Sequence, residues 1–168
     1  GVNQEVLDTC LDMGASITLA EGFFHAHKRD GGRDMPVVAV IGDSTFFHAG
    51  MPGLLNCVTS DARIVVVVLD NSMVAMTGGQ PTPGDEGASI ESIARGIGVK
   101  FVETIDPYEI DETVEVLLQA HEFTKGEEGG PAVVIARRPC ALRVPPEHGK
   151  RPVEVIAEKC NRCEYCLR

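Results

Sequence analysis

Two short apolar runs, separated by a segment of helix length, constrain the possible folds of this chain most strongly. The runs, Val37–Ile41 and Ile64–Leu69, are rich in valine and isoleucine and too short for separate helices. We therefore predict two strands buried on both faces. The segment between them, from Gly50 to Ser60, has the length and composition of a crossover helix. A strand, a crossover and a second strand favour parallel pairing with a right-handed connection.

The rest of the chain continues the alternation of helices and strands. Helices are predicted over Ala15–His27 and Ala88–Gly96, and further strands over Lys100–Thr104 and Ala132–Ala136. The chain has 168 residues, the size of one domain, and 43% of them are apolar, enough for a sizeable core. We predict an α/β fold, a mainly parallel sheet with helices on both faces.

Polar residues follow both runs at the point where each predicted strand ends. Gly42-Asp43-Ser44 follows the first run and Asp70-Asn71-Ser72 the second. Ligands of parallel sheets bind outside the carboxyl ends of the strands, and Mg²⁺ prefers carboxylate, amide and phosphate oxygens. A helix starting near Gly50 to Gly53 would offer free N–H groups to an anion. The pattern indicates a diphosphate held through a divalent cation, and the simpler alternative is that Asp43 and Asn71 only form turns.

The sequence around these residues resembles a known cofactor signature. Gly42-Asp43-Ser44, followed at βαβ distance by Asp70-Asn71, is similar to the thiamine diphosphate signature, which begins Gly-Asp-Gly and ends at an Asn. The segments GDSTFFHAG and DNSMVAMTGGQPTPG resemble the 2-oxoacid:ferredoxin oxidoreductases, especially the large subunits of the indolepyruvate type. The resemblance extends upstream to Met13-Gly14-Ala15-Ser16 and downstream to the last cysteines. Ser44 departs from the general signature, and we interpret it as a mark of the subfamily.

The resemblance implies a thiamine diphosphate-binding fold with a Mg²⁺ site. Mg²⁺ would be held by the side chains of Asp43 and Asn71 and by the backbone carbonyl of Met73. The candidate cofactor-binding residues are Gly14, Ala15, Ser16, Gly42, Asp43, Ser44, Thr45, Asn71, Met73, Ala75, Met76 and Thr77. For residues 13–16 the alternative is simple close packing of a helix start.

One histidine lies close to the predicted magnesium ligand. His48 is a candidate catalytic residue that would transfer a proton or donate a hydrogen bond to substrate. The alternative is a loop histidine held by the backbone.

Three cysteines close the sequence in a C-x₂-C-x₂-C arrangement. Cys160, Cys163 and Cys166 match the opening of a bacterial ferredoxin motif, whose fourth cysteine follows after three more residues, whereas this sequence ends at Arg168. We predict a [4Fe-4S] cluster in the intact protein, with zinc as the alternative. The predicted organisation is a thiamine diphosphate and Mg²⁺ domain over residues 1–136, an extended linker over 137–159 and a truncated iron–sulfur motif over 160–168.

The resemblance also implies a reaction and its partners. The reaction is oxidative decarboxylation of an arylpyruvate such as indolepyruvate, with electrons passing through iron–sulfur clusters to ferredoxin and the acyl group to coenzyme A. In this family a glutamate of a separate pyrimidine-binding domain activates the cofactor, and no segment here looks like that domain. We therefore expect a composite site that needs that domain and a second, smaller subunit. The alternatives are the same chemistry on pyruvate, 2-oxoglutarate or phenylglyoxylate, or a non-catalytic phosphate-binding and electron-transfer module.

Charge and hydropathy exclude two classes of partner. The net charge of −10 argues against nucleic-acid binding, which needs a basic face. No apolar stretch approaches the ~18 residues of a membrane helix, and no secretory signal is present. Three scattered and three clustered cysteines indicate a reducing compartment, so we expect a cytoplasmic protein. Because the sequence begins with Gly1, we expect an interior piece of a longer polypeptide.

Overall fold

The computed structural model describes residues 7–31, 35–140 and 156–161. Within these ranges the elements are α1 (Ser16–Arg29), β1 (Val38–Gly42), α2 (Asp43–Thr45), α3 (Met51–Thr59), β2 (Val65–Asp70), α4 (Ile90–Ile97), β3 (Phe101–Ile105), α5 (Ile110–Lys125) and β4 (Ala132–Arg137). No helix of the described ranges has the length and apolarity to cross a membrane.

The strands form one parallel sheet in the order β1-β2-β4-β3. One face is covered by α1, α3 and α4, whose buried side chains pack with those of the strands around Leu54, Val66 and Ile135. The other face carries α5, which packs over Val134 and Ala136. The predicted α/β fold with a parallel sheet and helices on both faces is confirmed.

The helix after β1 starts earlier than predicted. α2 begins at Asp43, directly after the strand, and continues through a π-helical turn, Phe46–Gly50, into α3 without a break. Phe46 and Phe47 are buried in this turn, and a Cβ on Gly50 would lie 3.0 Å from Ile41 Cδ1. The prediction of a helix start near Gly50 to Gly53 is therefore wrong, because burial of the two aromatic rings extends the helix to the strand end.

The first strand is buried on one face only. Ala39 and Ile41 are buried, whereas Val38 and Val40 are 52% and 44% exposed. β1 is an edge strand of the described sheet, and α5 contacts the other three strands instead. The prediction of burial on both faces is wrong for β1. It largely describes β2, in which Val65, Val66 and Val68 are buried but Leu69 is 49% exposed.

Little of the predicted linker and iron–sulfur motif belongs to the described residues. Cys163 and Cys166 lie outside them, and Cys160 is an exposed free cysteine. Within the described part of the chain, no group of three or more histidine, cysteine, aspartate or glutamate residues forms a metal site. The predictions for residues 137–159 and 160–168 therefore stay predictions.

Candidate diphosphate and cation site

The predicted magnesium ligands lie at neighbouring strand ends. β1 and β2 pair in parallel with Gly42 opposite Leu69, so Asp43 and Asn71 both leave the same edge of the sheet. Asp43 Oδ2 accepts a hydrogen bond from Ser72 N at 3.0 Å, which joins the two strand ends directly. The structure thus brings together the two positions that the sequence pattern paired.

The turn after β2 is held by local hydrogen bonds from its own backbone. Asn71 Oδ1 accepts from Met73 N at 3.1 Å, and Ser72 has a φ of +57° in the left-handed region. Ser72 N also approaches Asp70 Oδ1 at 3.2 Å, so two carboxylates share one N–H donor. The Met73 side chain is buried, which anchors the far end of the turn. Residues 70–73, called the cation turn below, therefore have a defined backbone conformation.

Asp43 is a buried carboxylate that lacks a counter-charge. It is 4% exposed, and no lysine, arginine or histidine of the described ranges forms an ion pair with it. Burial raises the pKa of Asp43, the nearby Asp70 carboxylate raises it further, and the N–H groups of Ser44 and Ser72 oppose the shift. Because an uncompensated buried charge is costly, a divalent cation fits this donor set well.

The start of α2 provides backbone donors beside Asp43. Ser44 N donates to Asp43 Oδ1 at 2.7 Å, while Thr45 lies in the same first turn, where N–H groups lack intrahelical acceptors. A Cβ added to Gly42 would meet no atom within 4 Å, so packing within the described chain does not require glycine there. Open space beside a helix start suits an approaching anion.

Residues 14–16 pack against the helix that follows Asp43. Gly14 has a φ of +117°, and a Cβ there would lie 2.9 Å from Ala49 Cβ and 3.8 Å from Thr45 Cγ2. The close packing given as the alternative for residues 13–16 is therefore present at Gly14, and the cofactor contacts of residues 14–16 stay predictions. Ser16 Oγ is buried and has no hydrogen-bond partner within the described residues. Because buried hydroxyls rarely stay unpaired, this atom is a candidate donor to a bound ligand.

The loop after the cation turn closes on itself. Val74 N donates to Gln80 O and Gly79 N to Val74 O, both at 2.9 Å. Thr77 Oγ1 donates to Gln80 Oε1 at 2.9 Å, so the described hydrogen bonds of Thr77 stay inside the loop. Of the three predicted cofactor contacts in this loop, Ala75 is partly buried, Thr77 is exposed and Met76 is 86% exposed.

His48 lies in the π-helical turn, five residues after Asp43, and is exposed. Within the described part of the chain its side chain makes no hydrogen bond or ion pair. It is therefore neither a loop residue nor held by the backbone.

A charged network that the sequence reasoning missed lies beside the cation turn. Arg137 Nε donates to Asp70 Oδ2 at 2.7 Å, and its Nη1 donates to Glu91 Oε1 at 2.6 Å. The hydrogen bond from Arg137 lowers the pKa of Glu91 to about 2. Asp70 and Arg137 pair directly across β2 and β4, and both are the last residues of their strands. The signal available in the sequence was opposite charge at the ends of two predicted strands.

A cleft of about 370 Å³ adjoins this network. Its lining includes Phe47, Ser72, Asp85 and Arg137. The cleft thus reaches the cation turn from the side of β4.

A parallel sheet with a buried carboxylate, an amide and a helix start at the carboxyl ends of its strands has the features of a domain that binds a diphosphate cofactor. The family model "thiamine pyrophosphate enzyme, C-terminal TPP binding domain" matches residues 3–136. The chain belongs to this family.

Curated relatives of this chain carry one name. It is 45% identical over 170 residues to the indolepyruvate oxidoreductase subunit IorA of Methanothermobacter thermautotrophicus, covering 96% of this chain and 26% of the relative. It is 39% identical over 181 residues to the IorA subunit of Archaeoglobus fulgidus, covering 99% and 27%. The chain therefore spans about a quarter of the length of these relatives.

Solved structures share the fold at lower identity. A 2-oxoglutarate:ferredoxin oxidoreductase from Magnetococcus marinus superposes with a TM-score of 0.63 at 19% identity, covering 76% of this chain and 45% of that one. A benzoylformate decarboxylase from Polynucleobacter necessarius gives 0.57 at 21% identity, covering 76% and 25%. These similarities support the fold alone.

Proposed function

We propose that this chain is the thiamine diphosphate- and Mg²⁺-binding part of a 2-oxoacid:ferredoxin oxidoreductase that acts on an arylpyruvate, indolepyruvate in the first place. The observation that carries the proposal is the hydrogen bond from Ser72 N to Asp43 Oδ2, which links Asp43 to the cation turn. The names of the relatives support the substrate.

In this proposal the chain binds and orients the cofactor. The side chains of Asp43 and Asn71 and the carbonyl of Met73 hold Mg²⁺. The diphosphate contacts the backbone from Gly42 to Thr45. The remaining contacts come from Gly14, Ala15, Ser16, Ala75, Met76 and Thr77. When bound, thiamine diphosphate supplies the nucleophilic carbon and the electron sink for decarboxylation. Asp43 serves as an anchor for the cation rather than as an acid or base.

The proposed enzyme also requires parts beyond this domain. Cys160, Cys163 and Cys166 would ligate a [4Fe-4S] cluster together with a fourth cysteine, and the electrons would pass to ferredoxin. Coenzyme A would accept the acyl group, a pyrimidine-binding domain would complete the cofactor site, and a smaller subunit would join the complex. We place the enzyme in the cytoplasm, because thiolate ligands require a reducing compartment.

The test is turnover by the complete enzyme. We expect ferredoxin reduction that depends on indolepyruvate, thiamine diphosphate and coenzyme A, with kcat/KM for indolepyruvate about tenfold or more above that for pyruvate or 2-oxoglutarate. Residues 1–168 alone should show no decarboxylation, because the domain that activates the cofactor is missing. Preference for pyruvate would contradict the substrate assignment, and turnover without thiamine diphosphate would contradict the cofactor.

His48 provides a second measurable consequence. If its imidazole transfers a proton, His48→Ala should lower kcat of the complete enzyme by about 10²-fold. Cofactor affinity should not change, because the exposed side chain makes no described hydrogen bond. His27→Ala on α1 is the control and should leave kcat unchanged. Equal turnover of the His48 variant and the wild type would assign His48 to the surface.

A further inference from the structure

The cation turn is held by the side chain of Asp70, a carboxylate that is not among the proposed magnesium ligands. Asp70 Oδ1 accepts from Ser72 N at 3.2 Å and lies 3.5 Å from Ser72 Oγ. The backbone adds two contacts, from Arg138 N to Asp70 O at 2.9 Å and from Cys140 N to Asn71 O at 3.2 Å. The turn that carries Asn71 and Met73 is thus contacted by the residues that follow β4.

Arg137 binds the other oxygen of that carboxylate. Its Nε donates to Asp70 Oδ2 at 2.7 Å, and Asp70 is only 9% exposed. The other side of the guanidinium is held by Glu91, whose Oε1 accepts from Arg137 Nη1 at 2.6 Å. Glu91 in turn accepts hydrogen bonds from Ser89 Oγ at 3.0 Å and Thr104 Oγ1 at 3.1 Å. Arg137 therefore connects the cation turn to α4 and β3 through one planar fork.

We propose that Arg137 is a positioning residue for the magnesium site, acting through Asp70 on the cation turn. This inference rests on the proposed function, in which Asn71 and Met73 supply two of the ligands. Mg²⁺ demands near-octahedral geometry, so a small displacement of the turn weakens its binding. Groups that orient the ligands of a metal commonly change its affinity by 10–100-fold (roughly) when removed.

Loss of the charge of Arg137 and loss of its contact with Asp70 are expected to change the metal affinity in opposite directions. Removing a cation near a divalent metal lowers electrostatic repulsion and strengthens metal binding. Removing a group that orients the ligands weakens it. Weaker metal binding by an Arg137→Gln variant would therefore indicate a loss of positioning, because loss of the positive charge alone would strengthen metal binding. An Asp70 variant would not discriminate, because loss of a negative charge also weakens cation binding.

The experiment is a Mn²⁺ titration of the complete enzyme, which is first stripped of metal and cofactor and then saturated with thiamine diphosphate. Free Mn²⁺ is measured by electron paramagnetic resonance. We expect the Mn²⁺ dissociation constant of Arg137→Gln to rise about tenfold. Arg137→Lys keeps the charge but loses the planar fork, so its dissociation constant should lie between those of the wild type and the glutamine variant.

Arg138→Gln is the matched control. Arg138 is the next residue along the chain, and its side chain is 42% exposed, against 40% for Arg137. Its guanidinium pairs with Asp106 and stacks 3.8 Å from the Tyr108 ring centroid, away from Asp70. Its backbone N–H, which bonds Asp70, survives the substitution. Mn²⁺ affinity should stay within about twofold of the wild type.

The outcomes separate this inference from the proposed function. If the wild type shows no Mn²⁺ binding that depends on thiamine diphosphate, both are overturned. If the wild type binds and Arg137→Gln binds equally or more tightly, the inference alone is overturned. If Arg137→Gln does not fold, judged by circular dichroism, the lysine variant decides: a dissociation constant equal to that of the wild type overturns the inference.

Discussion

We expect the Asp43→Asn substitution to weaken Mg²⁺-dependent binding of thiamine diphosphate by the complete enzyme. The substitution removes the one charged ligand of the proposed site and keeps its size, so we expect affinity to fall by about 10²-fold or more. Isothermal titration calorimetry with thiamine diphosphate, with and without Mg²⁺, measures the loss. Asp106→Asn is the control: Asp106 follows β3 at the same edge of the sheet but pairs with Arg138.

The same variant should have the opposite effect on the cofactor-free protein. Burial and the neighbouring Asp70 raise the pKa of Asp43, so the ionised carboxylate destabilises the fold at neutral pH. Because the pKa is raised in the folded protein, this penalty is absent below the ordinary pKa of aspartate and develops as pH rises from there through the raised pKa of folded Asp43. Asp43→Asn should therefore melt at an equal or higher temperature than the wild type at pH 7 without Mg²⁺. Retained Mg²⁺-dependent binding together with a lower melting temperature would show that Asp43 has only a structural role.

We expect replacement of Phe46 with alanine to lower the free energy of unfolding more than substitution of an exposed residue does. Phe46 is 0% exposed and belongs to the π-helical turn that follows Asp43. Its ring lies edge-on to Phe47, with centroids 6.0 Å apart, and 3.1 Å from the position of a Cβ on Gly50. Deleting a buried phenylalanine ring leaves a cavity in a closely packed core, so we expect unfolding free energy to fall by about 3–5 kcal/mol.

Urea unfolding of residues 1–168 measures this effect against a control on the surface. Phe23 on α1 is 52% exposed, and Phe23→Ala should change the free energy of unfolding by about 0.5 kcal/mol or less. Phe46→Leu should recover most of the loss, because it refills the cavity with an apolar side chain. A loss below about 1 kcal/mol for Phe46→Ala would contradict the packing described for this turn.

Most of the predicted core of the fold is present. The short Val- and Ile-rich runs form neighbouring parallel strands, and Asp43 and Asn71 leave the same edge. This result is predictable because a crossover of helix length forces parallel pairing, and parallel strands end on the same side of the sheet. The roles of these residues in cofactor binding stay proposals.

The helix after β1 shows where local signals mislead. Gly50, Pro52 and Gly53 are typical of a helix start, yet the helix begins at Asp43. Glycine at position 50 instead makes room for Ile41 and Phe46. Only the packed structure shows that burial of the rings of residues 46 and 47 outweighs the tendency of residues 50–53 to start a helix.

The sequence by itself determined the class of the fold, the parallel pairing of the first two strands and the edge from which Asp43 and Asn71 project. These features follow from the apolar periodicity of each segment and from the order of neighbouring segments along the chain, both of which can be read from the sequence. Only the tertiary structure decided the half-exposed face of β1 and the ion pair between Asp70 and Arg137, which are 67 residues apart. Both depend on the strand order β1-β2-β4-β3, which determines which strand lies at the edge and which strand ends become neighbours.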